Sequence, residues 1–204
     1  MHAMHHFIIT ILDHLFPPSA DEIIVRHLSL EDVTKKYAHT EHESIISLSS
    51  YSDGEIRALV HEAKFHGNKK AFGLLGALFQ EYLEKERPTI DSIIPIPLSS
   101  SRFRARGYNQ VQEVLKTQSL TVMMTIDASV LVRVRNTRPQ TELTREERLQ
   151  NMEQAFAVKD PTLVTGKHIL VLDDVTTTGA TLRSAETALL AHNPASITLV
   201  ALAH

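Results

Sequence analysis

The run of residues 169–181 constrains the fold more than any other part of the chain, and it reads Ile-Leu-Val-Leu-Asp-Asp-Val-Thr-Thr-Thr-Gly-Ala-Thr. Its first four residues are apolar and rich in branched side chains, which is typical of a strand buried on both faces of a parallel sheet. Asp173 and Asp174 close this strand, and the apolar spacing after Thr181 predicts the packed face of a helix. The run therefore predicts a strand, an acidic turn, a small polar loop and a helix.

This order of elements predicts an anion site. In open α/β sheets, ligands bind at the carboxyl ends of strands, where helix N-termini offer unpaired N–H groups and partial positive charge. The loop adds hydroxyls, and Gly179 lets the backbone approach a ligand closely. Carboxylates repel phosphate unless they face sugar hydroxyls or hydrated Mg²⁺, so a phosphorylated sugar suits both halves of the site. The alternative is an ordinary turn capped by Asp174 or Thr178, but capping needs only one such residue.

Composition narrows the class of protein. The 204 residues, 43% of them apolar, suffice for one sizeable α/β domain. A net charge of −3 gives no electrostatic argument for nucleic-acid binding by the whole surface, although local basic patches leave such binding open. The absence of cysteine excludes disulfides, thiolate metal sites and thiol catalysis.

The N-terminal segment carries two weak signals. Helical spacing of apolar residues over 8–15 predicts an amphipathic helix that ends at Pro17. It is too short to span a membrane and is a poor signal peptide, so we expect a cytoplasmic protein without membrane insertion. His2, His5 and His6 fit either a metal site or a frayed terminus, and the usual disorder of termini favours the latter.

Short patterns organise the next part of the chain. Residues 23–25 and 45–48 are apolar runs that predict short strands. Ser52 and Glu55 form a capping-box pattern for a helix that ends at Gly67, and a second helix follows. Four basic residues lie at the break between these helices: Lys64, His66, Lys69 and Lys70. They form either a solvated helix end or a spot that attracts a polyanionic substrate.

Two further segments combine polar and basic residues. Residues 93–97 predict a strand with prolines near its end, followed by serines and by Arg102, Arg104 and Arg106. These arginines suit either phosphate binding or a solvated helix face. Residues 133–151 are polar and long for a connection, which is typical of a lid or of a solvated linker with a short helix.

The thirteen-residue run resembles the 5-phosphoribosyl 1-pyrophosphate (PRPP) motif of type I phosphoribosyltransferases. The resemblance implies that Asp173 and Asp174 bind the ribose 2- and 3-hydroxyls. It implies a 5-phosphate loop made of Thr176, Thr177, Thr178, Gly179, Ala180 and Thr181. It implies a pyrophosphate loop made of Leu98, Ser99, Ser100 and Ser101, with Arg106 beside it. Mg²⁺ in such a site is held mainly by substrate oxygens and water, so we expect no dedicated protein metal site.

A lid would shield the reacting carbon from water and place cationic charge on the leaving group. Arg135 and Arg145 are the arginines to which we assign this catalytic role, and Thr137, Gln140 and Thr141 are the other lid residues singled out.

Several segments together are similar to the ComF family of competence-associated phosphoribosyltransferase-like proteins. The segments that carry this resemblance are residues 15–18, 64–67, 95–97, 106–110, 135–141 with Arg145, Arg148 and Asn151, and 169–181. Members of that family usually carry a four-cysteine zinc module just after the Pro-Pro pair, and this chain has no cysteine. We therefore expect no zinc, and residues 19–44 are the weak part of the resemblance.

The predicted fold class is α/β, a type I phosphoribosyltransferase fold with a central parallel sheet and helices on both faces. We expect a small N-terminal subdomain over residues 1–50 and the phosphoribosyltransferase domain over residues 51–204. The first functional hypothesis is Mg²⁺-dependent transfer of ribose 5-phosphate from PRPP to an acceptor that the sequence does not specify. The second is a non-catalytic PRPP-binding regulator of DNA uptake. A third possibility, a receiver-type domain, would leave the threonine-rich loop unexplained. The sequence is compatible with a homodimer.

Overall fold

The computed structural model describes residues 17–118, 124–134 and 155–204 of the chain. The predicted helix over residues 8–15 lies outside these ranges, as do the lid residues Arg135, Thr137, Gln140, Thr141 and Arg145. In the part of the chain that is described, none of the helices has the length and apolar character that crossing a membrane requires.

Six of the described strands form one mostly parallel sheet. In chain order they are β1 (Thr40–His42), β2 (Ile45–Ser47), β3 (Ser92–Pro95), β4 (Thr125–Ile126), β7 (His168–Val175) and β8 (Ser196–Ala203). Their spatial order is β1-β2-β8-β7-β3-β4, and every pairing except β1 with β2 is parallel. β5 (Leu131–Arg133) and β6 (Phe156–Val158) form a separate antiparallel ribbon. The predicted central parallel sheet is confirmed, and β7 lies in its middle.

Helices surround this sheet. They are α1 (Ala20–His27), α2 (Leu30–Thr34), α3 (Gly54–His61), α4 (Lys69–Glu86), α5 (Ser100–Arg106), α6 (Gln110–Lys116) and α7 (Ala180–Leu190). A π-helical turn, Glu62–His66, continues α3, and a short 3₁₀ turn covers Pro161–Leu163.

The two faces of β7 bury different cores, as expected for a strand with helices on both sides. Leu170 and Leu172 pack into the core built with α1 to α4 and α6, whereas Ile169 and Val171 pack into the core built with α7 and the β5–β6 ribbon. All four side chains are almost completely inaccessible to solvent. The predicted placement of helices on both faces is thereby confirmed.

Two local predictions are wrong. Residues 23–25 belong to α1 and not to a strand, because Ser19 Oγ accepts a hydrogen bond from Glu22 N at 3.0 Å and starts a helix that buries Val25. The helix predicted to start at Ser52 is capped by Asp53, whose Oδ1 accepts from the backbone N–H of Glu55 at 2.9 Å. Its predicted end at Gly67 is confirmed, since Gly67 has a φ of 61° and closes the π-helical turn.

The N-terminal elements contact the rest of the fold directly. β2 pairs in parallel with β8, where Ile45 lies opposite Leu199. α1 packs on α3, and α2 packs on α4. Residues 40–47 therefore extend the main sheet, and the division into residues 1–50 and 51–204 stays a prediction about domain organisation.

Candidate functional site

The predicted acidic pair closes the central strand of the sheet. Asp174 is buried, with 6% of its surface exposed, and Asp173 is partly buried. Asp173 Oδ1 accepts from the Asp174 backbone N–H at 2.9 Å, and Asp174 Oδ1 accepts from that of Val175 at 2.7 Å. These local hydrogen bonds fix the direction of both carboxylates at the carboxyl end of β7, where ligands of parallel sheets bind.

A polar network surrounds the second oxygen of Asp174. Gln110, at the start of α6, donates to Asp174 Oδ2, and its own side-chain oxygen accepts from Arg106 Nη1. Lys64 Nζ, from the π-helical turn, lies 3.2 Å from the same Asp174 oxygen. Burial lowers the pKa of Arg106, and the negative charge of Asp174 opposes that shift. The network thus brings two cations to one buried carboxylate.

Asp173 has a different electrostatic setting. Burial raises the pKa of Asp173 to about 7, and the neighbouring charge of Asp174 adds to this effect, whereas Lys64 and Arg133 oppose it. Asp173 therefore holds its proton up to a pH near 7, and in that state its carboxyl can donate a hydrogen bond.

Arg133 is the first residue of the predicted lid segment (133–145), and it interacts electrostatically with Asp173. It ends β5, and its guanidinium lies 5.3 Å from the centre of the Phe156 ring. Burial and the charge of Arg102 lower the pKa of Arg133, and Asp173 opposes this shift. Arg133 therefore adds positive charge on the side of Asp173.

The predicted 5-phosphate loop leads from β7 into α7. Thr176 is buried and donates its backbone N–H to Ala203 O at 3.0 Å, whereas Thr177 and Thr178 are exposed. Gly179 is the N-cap of α7 with a φ of 72° and provides no side-chain hydrogen bond to the helix. Thr181 follows Ala180 in the first turn. The start of α7 is consequently left without a side-chain cap, as an anion-binding helix terminus requires.

The predicted pyrophosphate loop is shorter than expected. Leu98 and Ser99 follow β3 at the same sheet edge, but Ser100 and Ser101 form the first turn of α5. Ser99 Oγ caps this helix by accepting from the Arg102 backbone N–H at 3.3 Å. The helix buries none of its residues, so Arg102 and Arg104 lie on an exposed face, while Arg106 is partly buried.

Three residues at or beside this site were not selected as site residues from the sequence. Lys64 was part of a basic cluster and of the family resemblance, and Asn109 and Gln110 were part of that resemblance. Asn109 is buried, donates to Ile96 O at 2.9 Å and accepts from the Val111 backbone N–H at 3.0 Å, which fastens the end of β3 to the start of α6. All three residues lie in the Lys-Phe-His-Gly and Tyr-Asn-Gln segments, which could have marked them as site residues. The two segments meet only through tertiary packing, which the sequence does not show.

Comparison with known proteins identifies the family. A family model described as "Phosphoribosyl transferase domain" matches residues 65–204, which is more than half of the chain. The chain belongs to this phosphoribosyltransferase family.

Individual proteins that are similar to this phosphoribosyltransferase-domain chain indicate a narrower group within the family. DNA utilization protein YhgH of Salmonella typhi is 32% identical over 160 residues, which cover 76% of this chain and 69% of YhgH. Competence protein F of Haemophilus influenzae is 35% identical over 95 residues, covering 45% of this chain and 41% of the relative. These relatives confirm the resemblance to the ComF family.

Among solved structures, glutamine PRPP amidotransferase from B. subtilis aligns with a TM-score of 0.43 and 14% identity. The alignment covers 69% of this chain and 30% of that enzyme's chain.

Proposed function

We propose that this protein binds PRPP with Mg²⁺ and transfers the phosphoribosyl group to an acceptor, with release of pyrophosphate. One observation carries the proposal. The acidic pair Asp173 and Asp174 closes β7 directly before an α7 N-terminus that lacks a side-chain cap. Hydroxyl-binding carboxylates beside an anion-binding helix start suit a sugar that carries a phosphate.

Each half of this arrangement has a separate task in the proposal. Asp173 and Asp174 accept hydrogen bonds from the ribose 2- and 3-hydroxyls. The 5-phosphate lies at the start of α7 and accepts hydrogen bonds from the loop Thr176, Thr177, Thr178, Gly179, Ala180 and Thr181. Hydrogen bonds to a charged group contribute roughly 1.5–3 kcal/mol each, whereas the helix dipole contributes only about 1 kcal/mol. The loop's donors, and not the dipole, therefore provide most of the proposed affinity.

The pyrophosphate lies, in this proposal, between the end of β3 and the cations around the acidic pair. Ser99 Oγ and the N–H groups of Leu98, Ser99, Ser100 and Ser101 lie on one side of it. Lys64, Arg106 and Arg133 provide positive charge, and a guanidinium can bind phosphate through two parallel hydrogen bonds. Positive charge fixed beside the leaving group stabilises the negative charge that develops there.

The acidic pair also limits how Mg²⁺ is held. Asp174 Oδ2 already contacts Lys64 and Gln110, so coordination of the ion through this oxygen would displace one of them. The site therefore fits an ion that would be bound mainly through pyrophosphate oxygens and water. When bound, Mg²⁺ would neutralise part of the charge on the leaving pyrophosphate.

The reaction breaks the bond between ribose C1 and the pyrophosphate oxygen and forms a bond from C1 to the acceptor. Positive charge develops on the sugar ring as the first bond breaks, and the nearby carboxylates favour that charge. A lid over the site would exclude water, which competes as the acceptor. Arg135 and Arg145 remain our candidates for lid arginines that act on the leaving group, with Thr137, Gln140 and Thr141 beside them.

The test is calorimetric titration of the protein with PRPP and MgCl₂, repeated on the double variant Asp173→Asn/Asp174→Asn. We expect saturable binding by the wild type, at least tenfold weaker binding by the double variant, and unchanged binding by the control Glu41→Gln, whose side chain is exposed. Absence of binding by the wild type would overturn the proposal. Pyrophosphate release is then measured with nitrogenous bases, amines and single-stranded DNA as acceptors.

A second candidate function follows from the names of the relatives, which refer to DNA utilization and competence. We infer as the alternative a PRPP-binding regulatory protein that acts in DNA uptake without transferring the sugar. Binding of PRPP without pyrophosphate release in the presence of any acceptor favours this regulator. Release that depends on an acceptor favours the enzyme. In both cases we expect the protein to act in the cytoplasm, and a homodimer remains compatible with both.

A further inference from the structure

A cluster of side chains that can bind a metal spans the last residue of α3 and the π-helical turn, outside the proposed PRPP site. His61, Glu62 and His66 each offer one ligand atom, and these three atoms lie within 4.8 Å of one another. A π-helical turn forms hydrogen bonds between residues five apart, which brings His61 and His66 onto one side of the helix with ring centres 5.6 Å apart. Single π-helical turns inside α-helices are frequent at functional sites.

The buried Glu62 carboxylate has mainly neutral hydrogen-bond donors around it. Its side chain is only 3% exposed, and it accepts hydrogen bonds from Ser19 Oγ at 3.3 Å and Asn68 Nδ2 at 3.0 Å. Both donors are neutral. Within the described parts of the chain, its one ion-pair contact is His66 Nε2, at 3.9 Å. Buried charges in proteins are paired or coordinate metal ions, because an isolated buried carboxylate is costly.

The environment of His61 also resembles that of a metal ligand. Asp21 Oδ2 forms an ion-pair contact of 3.0 Å with His61 Nδ1, and this buried nitrogen has no other polar partner among the described residues. Histidines that bind metals commonly direct their other ring nitrogen to a carboxylate, and the metal-binding carboxylates are themselves hydrogen-bonded. With His61 Nε2 as the ligand atom, Asp21 lies beside the other ring nitrogen, Nδ1. Ser19 and Asn68 are the hydrogen-bond donors to Glu62.

We propose that His61, Glu62 and His66 bind one Zn²⁺ ion, with Asp21 orienting His61 and water in the fourth position. Two imidazoles and one carboxylate are a known zinc ligand set, and imidazole nitrogen suits Zn²⁺ better than it suits Mg²⁺ or Ca²⁺. Zinc–nitrogen bonds of about 2.0–2.1 Å require ligand atoms roughly 3.3 Å apart. The side chain of His66 is 52% exposed, so it can rotate to close the remaining gap.

The expectation of no zinc rested on the missing four-cysteine module, whereas this site uses histidine and carboxylate ligands and needs no cysteine. The site also lies in the same turn as Lys64, the residue that contacts Asp174, and the Lys64 carbonyl accepts from Tyr108 Oη at 3.2 Å. A bound ion would hold α1 against this turn and thereby hold the backbone of Lys64. The inference does not depend on whether the protein binds PRPP.

The experiment measures Zn²⁺ affinity of the full chain by competition with a zinc chelator. The histidines near the N-terminus can bind zinc by themselves, so all proteins carry His2→Gln/His5→Gln/His6→Gln. We expect one Zn²⁺ per chain in this background. Adding His66→Gln should weaken the affinity at least tenfold, and adding Glu62→Gln should weaken it similarly, because each removes a ligand. The matched control is His27→Gln, an exposed histidine on α1, and we expect a change of less than twofold.

A second measurement does not depend on the folding of any variant. The sample is the triple-variant protein loaded with Zn²⁺, measured by X-ray absorption at the zinc edge. The spectrum should show two imidazole ligands, and the remaining ligands of the zinc ion should be oxygen atoms. Equal affinities for the His66→Gln and His27→Gln proteins would overturn the proposal, as would an absorption spectrum without two imidazoles. Failure of the triple-variant chain to retain Zn²⁺ at micromolar concentration would also overturn it.

Discussion

Lys64 Nζ and Asp174 Oδ2 lie 3.2 Å apart, and this ion pair joins the π-helical turn to the carboxyl end of β7. The Lys64 side chain is 24% exposed and that of Asp174 is 8% exposed. Solvent therefore screens the pair less than it screens a surface ion pair. Gln110 donates to the same Asp174 oxygen, so a ribose hydroxyl that binds there must share this oxygen or displace one of its partners.

Replacing Lys64 by Met should lower the free energy of unfolding by about 1–3 kcal/mol, because it leaves the buried Asp174 charge without its cation. The effect should stay below that of a completely buried pair, since water reaches Lys64. Urea denaturation at neutral pH measures the change. Lys69→Met alters an exposed lysine nearby and should change stability by no more than about 0.5 kcal/mol. Equal effects of the two substitutions would contradict the structural role of the pair.

Gly179 should not tolerate a side chain. Its φ of 72° disfavours every residue with a Cβ, and a Cβ there would lie 2.4 Å from Ile45 Cδ1. Gly179→Ala should therefore destabilise the protein by about 2–4 kcal/mol, the sum of backbone strain and an overpacked contact. Thermal or urea denaturation measures this loss.

A double-mutant cycle separates the two causes. Ile45→Val removes Cδ1, so Gly179→Ala should cost at least about 0.5 kcal/mol less in the Ile45→Val background. Gly73→Ala is the matched control, because Gly73 lies inside α4 with no atom within 4 Å of the added Cβ. We expect this control to be neutral or to stabilise by up to about 1 kcal/mol. Additive effects of the Ile45 and Gly179 substitutions would show that the contact does not contribute.

Local sequence patterns predicted the centre of this fold and several neighbouring strands and helices, but not α1. β7 and α7 follow from a continuous apolar run and a helical apolar spacing, both of which lie within one segment. Residues 23–25 were assigned to the wrong element because a short apolar run fits a strand or a helix equally well, and the Ser19 cap decides between them.

The candidate site was only partly predictable for a related reason. Asp173, Asp174 and the threonine loop are adjacent in sequence, so their pattern is visible without a structure. Lys64 reaches Asp174 through the packing of a π-helical turn, for which the sequence carries no established signal. Tertiary contacts between distant segments, and not local propensity, therefore determine which cations surround the acidic pair.

Thr178→Val tests the proposed 5-phosphate loop. Thr178 is exposed, so the substitution should change stability by no more than about 0.5 kcal/mol. If its hydroxyl donates to the 5-phosphate, the affinity for PRPP should fall about tenfold, which corresponds to the loss of one hydrogen bond to a charged group. Calorimetric titration measures the affinity. Thr187→Val, farther along α7, should leave it unchanged, and a Thr178→Val protein with wild-type affinity would remove Thr178 from the proposed loop.

The raised pKa of Asp173 predicts how stability depends on pH. The folded protein holds this proton up to a pKa of about 7, whereas the group's ordinary value is 3.8. Between these two values the folded state binds more protons than the unfolded chain does, so the contribution of Asp173 to stability falls as pH rises. Asn cannot ionise, and Asp173→Asn should therefore become more stable relative to the wild type from pH 5 to pH 8.

We expect this relative gain of Asp173→Asn to amount to about 1–3 kcal/mol, and urea denaturation at several pH values measures it. Asp160→Asn is the control. Asp160 has a pKa below its ordinary value because Thr162 donates hydrogen bonds to it, so its titration lies below this pH range. The stability difference between Asp160→Asn and the wild type should therefore stay constant from pH 5 to pH 8. A constant difference for Asp173→Asn as well would show that Asp173 is already ionised at pH 5.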